Sequence, residues 1–103
     1  MIRIIKINGV ECDLSGAYPT LILVNKDIPG ALNMILEKID ANVANLYLRR
    51  INKLLAKALT IVELDSDLSL RSLLEIKSLP VILEAYYVKS LSDVAQDRVG
   101  GLL

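Results

Sequence analysis

Leu21-Ile22-Leu23-Val24-Asn25-Lys26-Asp27-Ile28-Pro29-Gly30 joins a run of apolar residues directly to the start of an amphipathic helix. A segment apolar at every position reads as a central strand covered on both faces, and residues 20–25 are assigned to one. Asp27 can cap the following helix, Pro29 fits a first turn where no donor is required, and Gly30 lets another backbone or a ligand approach closely. Free amides beside a strand end suit a carboxylate, so residues 25–30 are a candidate small-ligand site. The same residues equally serve a plain strand-to-helix turn with no ligand.

Downstream of this junction, Leu32, Ile35, Leu36 and Ile39 recur at helical spacing and predict a helix of about three turns lying on the sheet. Two strands follow, residues 42–51 and 54–64, with Asn52-Lys53 as the turn that pairs them antiparallel. Ser69 can cap a second helix with an apolar stripe of Leu70, Leu73, Leu74 and Ile76 and an Arg71–Glu75 pair at four-residue spacing. That helix stops before Pro80, and residues 81–88 form a last strand with Tyr86 and Tyr87 on opposite faces. Upstream, residues 2–7 and 10–14 flank Asn8-Gly9, a dipeptide suited to a two-residue hairpin turn.

The predicted order is therefore a hairpin followed by β-α-β-β-α-β, an α+β ferredoxin-like arrangement of a four-stranded antiparallel sheet with both helices on one face. Residues 1–19 are the hairpin extension, 20–89 the domain proper, and 90–103 a C-terminal tail of uncertain order. Two helices hide one sheet face only. The apolar content of the other leads to the expectation of a homo-oligomer, specifically a two-fold dimer.

Composition narrows the function. The 103 residues suffice for one domain, and 12 Lys plus Arg balance 12 Asp plus Glu. With 4 Tyr and neither Phe nor Trp there is little to stack on bases, so nucleic acid is not expected as a partner. No stretch approaches the roughly 18 apolar residues of a membrane span, and the N-terminus alternates like a strand rather than a leader, so the expectation is a cytoplasmic protein without membrane contact. A single cysteine, Cys12, and no histidine exclude an internal disulfide, a Ser-His-Asp triad and ordinary zinc sites, and no cofactor is expected. Cys12 alternates with Val10 and Leu14 and reads as a buried small hydrophobe.

Among the remaining polar groups, Asn42 and Asn45 offer the donors and acceptors that an amino acid's charged ends require, and also suit a turn and a backbone contact. Arg49, Arg50, Lys53 and Lys57 read as a solvated basic strand end. Glu63, Asp65 and Asp67 lack the glycine and distal glutamate of a calcium loop.

The junction at residues 21–30, the helix after it, Asn42-Val43-Ala44-Asn45-Leu46-Tyr47-Leu48 and Ser78-Leu79-Pro80 together resemble an ACT domain, a small regulatory module of amino-acid metabolism. The lead-in, Ile7-Asn8-Gly9-Val10-Glu11 and Leu14-Ser15-Gly16-Ala17-Tyr18-Pro19-Thr20, is similar to the segment introducing the C-terminal ACT domain of the β subunit of iron-sulfur L-serine dehydratases. The resemblance implies a non-catalytic domain that binds a small amino acid, serine first, between paired subunits and beside a dehydratase catalytic subunit. It places the ligand contacts at Asn25, Asp27, Gly30, Asn42 and Asn45. The chain departs from the family pattern where Asp40-Ala41-Asn42 and Pro80-Val81 lack a common glycine, and where Asp27 adds negative charge. The alternative implied by those departures is a structural dimerisation or docking module whose ligand site is vestigial.

Overall fold

The computed structural model describes residues 3–7, 9–14 and 17–89, and side chains at 6, 7, 11 and 17–89. Chain order is β1 (Arg3–Ile7), β2 (Val10–Leu14), β3 (Thr20–Lys26), α1 (Ala31–Glu37), β4 (Val43–Asn52), β5 (Lys57–Leu64), α2 (Leu70–Lys77) and β6 (Ile82–Val88). Strands β3 to β6 form one antiparallel sheet in the order β4-β5-β3-β6, and β1 and β2 pair as a separate hairpin. This is the ferredoxin-like topology: each helix links two parallel strands with a third, antiparallel strand lying between them. The hairpin turns at Gly9, whose φ of 78° a glycine adopts without a steric cost.

Strand β3 occupies the middle because it is apolar on both sides, and every residue of it except Lys26 is buried. Leu21 and Leu23 point to the helix side, where Ala31 and Ile35 of α1, Ile76 of α2 and Val62 and Leu64 of β5 complete the main core. Burying each such side chain contributes about 1.5–3 kcal/mol, the term that offsets the chain entropy of ordering the sheet.

Helix α1 has two turns, where the apolar spacing predicts three. The amides of Lys38 and Ile39 donate to the carbonyls three residues back, Ile35 and Leu36, so the last turn tightens and closes the helix before Ile39. The predicted two-residue turn between β4 and β5 is instead four residues long. Asn52 accepts from the Leu55 amide, Ala56 takes a left-handed φ of 50°, and Leu54 and Leu55 stand exposed at the tip rather than in a strand.

In α2 the Ser69 cap forms as predicted, its hydroxyl accepting from the Ser72 amide at 3.0 Å. The predicted stripe is corrected: Ile76 is buried and Leu73 packs on the core, but Leu70 and Leu74 are 71% and 57% exposed. Ser72 takes the inward position because its hydroxyl donates to the Lys38 carbonyl, tying the start of α2 to the end of α1. An apolar count cannot see that a serine with a built-in acceptor outcompetes a leucine for the inner face.

On the sheet side away from the helices, Ile22, Val24 and Leu59 form a second buried cluster against which Ile7, Ile51, Ile61 and Val88 pack. Ile7 belongs to the hairpin, so the chain itself supplies part of the cover that the sequence argument assigned to a second copy. The Cys12 side chain and the tail at 90–103 lie outside the described residues. No helix among the described residues is long and apolar enough to cross a membrane.

Two outcomes follow from this packing. Ile22→Ala lowers stability by about 2–5 kcal/mol, the range for truncating a buried aliphatic side chain, read as a lower midpoint in urea denaturation. The second concerns Asp40, which accepts from Ser69; bonds from the Ser69 hydroxyl and then its amide hold the carboxyl below the usual carboxylate range. A depressed folded-state value means stabilisation present above about pH 3.9 and lost as pH falls through the lower folded value, so Asp40→Asn flattens the acid limb of a stability-against-pH curve.

Candidate functional site

The chain leaves the sheet at the end of β3 under close constraint. Asn25 is 2% exposed; its Oδ1 accepts from the Thr60 hydroxyl at 2.7 Å and its Nδ2 donates to the Lys26 carbonyl at 3.1 Å. The Lys26 amide donates to Val81 at 2.8 Å and the Asp27 amide to Ala56 at 2.5 Å, which pins the strand end from both sides. Ile28 and Pro29 then swing out to solvent before α1 begins.

Gly30, not Asp27, is the residue immediately before α1. It has a left-handed φ of 82° and makes no side-chain cap. A Cβ built there meets nothing within 4 Å, so backbone conformation, rather than a closely approaching neighbour, calls for glycine. Asp27 is corrected from helix cap to ion-pair partner: its Oδ2 accepts from Arg50 Nε at 2.7 Å, with side chains 26% and 61% exposed. At that exposure the pair contributes about 0.2–1 kcal/mol, so its main effect is to place opposite charges side by side.

Around the pair lies an open cleft of about 240 Å³, walled by Asn25, Asp27, Gly30, Leu32, Leu48 and Arg50 among others. Strand β3 and the start of α1 provide one wall. The end of β4 provides the other, since Arg50 pairs in register with Ala58 and Ala58 with Asn25. The sequence reading grouped Arg50 with Arg49, Lys53 and Lys57, but strand alternation separates Arg50 from Arg49, and Arg50 turns toward the cleft. The legible signal was that alternation: Leu46, Leu48 and Arg50 share one face.

Asn25, Asp27 and Gly30 thus meet at one cleft, whereas Asn42 and Asn45 do not join them within the chain. Asn45 stands at the level of Glu63 and Thr20, five residues along the sheet from Arg50, or about 16 Å. Its Nδ2 donates to Glu63 Oε1 at 3.0 Å, and Asn42, exposed, accepts the Asp65 amide through its carbonyl at 2.9 Å. Pairing β4 antiparallel to β5 sets its beginning at the far end of the sheet from the end of β3.

Other chemistries find less support. RNA readers of this architecture stack bases on aromatic residues of the sheet, while β3 and β5 here present Ile22, Val24, Leu59 and Ile61. Among the described residues no three His, Cys, Asp or Glu converge to hold a metal ion.

No model of a known protein family matches this chain, and no curated protein matches it. One outcome tests the geometry of the junction: Gly30→Ala forces an L side chain into the left-handed region and destabilises the protein by about 1–2 kcal/mol, seen as a lower thermal midpoint.

Proposed function

We propose that this chain is a non-catalytic regulatory domain of the ACT type, taking a small amino acid, L-serine first, at the cleft between β3, α1 and the end of β4. The observation that carries the reading is the cleft itself: three of the residues named from the resemblance, Asn25, Asp27 and Gly30, line it together. At about 240 Å³ it falls below the roughly 300–1,000 Å³ of pockets for drug-sized ligands and has room for a single amino acid. Serine is favoured by the dehydratase-like lead-in, and the proposed setting is the cytoplasm, beside a dehydratase catalytic subunit. The cluster chemistry of such an enzyme needs several cysteine ligands, and this chain has 1 cysteine.

Regulation requires that two arrangements of the assembly differ in ligand affinity. A second copy of the chain is the proposed means. Strand β4 is an edge of the sheet, carries the exposed Val43, Tyr47 and Leu48, and bears Asn45, with Asn42 just before it, at the end remote from the cleft. Pairing of copies would let these asparagines approach a neighbour's cleft. The charge of Asp27 is already met within the chain by Arg50 Nε, which favours a second reading, a pairing module with a vestigial site.

Calorimetry and thermal denaturation with L-serine, L-alanine and glycine separate the two. The first reading expects saturable heat and, at ligand 100 times Kd, about 2.7 kcal/mol of added stability. A dimer in sedimentation that responds to none of the three selects the second reading, and a monomer at high concentration removes both.

A further inference from the structure

We infer that the cleft recognises its ligand as a zwitterion, Arg50 holding the carboxylate and Asp27 the ammonium; this rests on the cleft being the ligand site proposed above. Arg50 commits only Nε to Asp27, at 2.7 Å to Oδ2, and neither side chain makes another hydrogen bond among the described residues. A guanidinium has five N–H groups, so both Nη atoms remain as a fork matched to a carboxylate, and Asp27 keeps Oδ1 as an acceptor.

A donor fork and an acceptor oxygen of opposite charge, adjacent in one cleft, fit a ligand whose own opposite charges are adjacent. A bare carboxylate would gain Arg50 but face Asp27, and a bare amine would gain Asp27 but face Arg50. An α-amino acid satisfies both without breaking the ion pair. Its side chain would meet Ile28, Leu32 and Leu48. Because Asp27 lies at the β3–α1 junction and Arg50 on edge strand β4, the bound ligand bridges these two elements.

The test uses the full chain labelled with ¹⁵N, following the amides of residues 25–33 and 48–50 during titration. The ligands are glycine, L-alanine and L-serine against glycolate, which lacks the ammonium, and ethanolamine, which lacks the carboxylate. The expected result is saturable shifts with the amino acids, at least about tenfold weaker binding of the two half-ligands, and at least about tenfold weaker glycine and serine binding in Arg50→Gln. Amino-acid binding by Arg50→Gln with unchanged Kd overturns the role of Arg50 and leaves the cleft as a ligand site. Glycolate binding as tightly as glycine overturns the role of Asp27, an outcome read on the unaltered protein and independent of whether any variant folds. Absence of shifts with all three amino acids in the unaltered chain takes down both this inference and the site itself.

Discussion

The fold depends on a single strand having no exposed side. β3 lies between β5 and β6 with its residues from Thr20 to Asn25 buried, so both sheet faces must be covered and both neighbours must pair with it along its length. Hydrogen bonding and burial reinforce each other here, because an unpaired amide in this position would be as costly as an exposed leucine would be wasteful. The order of the other elements follows: two helices close one face, and the hairpin contributes to the other.

Full burial also explains why the cleft sits where it does. A strand enclosed on every side has to deliver its chain into solvent at one end, and that exit is held by Asn25, by the amides of Lys26 and Asp27, and by the left-handed turn at Gly30. The exit leaves a gap between α1 and the last residues of β4, into which Leu48 and Arg50 face. The rigidity of β3 thus positions one wall of the cleft, while the other belongs to an edge strand held from one side.

Local patterns made much of this legible. The hairpin turning at Gly9, the buried run in β3, the Ser69 cap and the opposite facing of Tyr86 and Tyr87 each depend on residues within a few positions of one another. Errors arose where a local rule met a competing partner. Asp27 has the chemistry of a helix cap but is claimed by Arg50; Leu70 and Leu74 have the spacing of a core stripe but yield to Ser72, whose hydroxyl finds the Lys38 carbonyl. The second sheet face was recognised as apolar, yet periodicity reports which way a side chain points and is silent on what covers it.

The chain's own order of residues determined the β-α-β-β-α-β plan with its leading hairpin and the position of the junction after β3, since hydrophobic period and turn chemistry act over short separations. Tertiary structure alone decided that Arg50 meets Asp27, 23 positions away, that Asn42 and Asn45 stand at the opposite end of the sheet from Asn25, and that Ile7 packs onto the Ile22 cluster. Those outcomes are set by strand register and by the path of the backbone through space, and no short-range pattern encodes either.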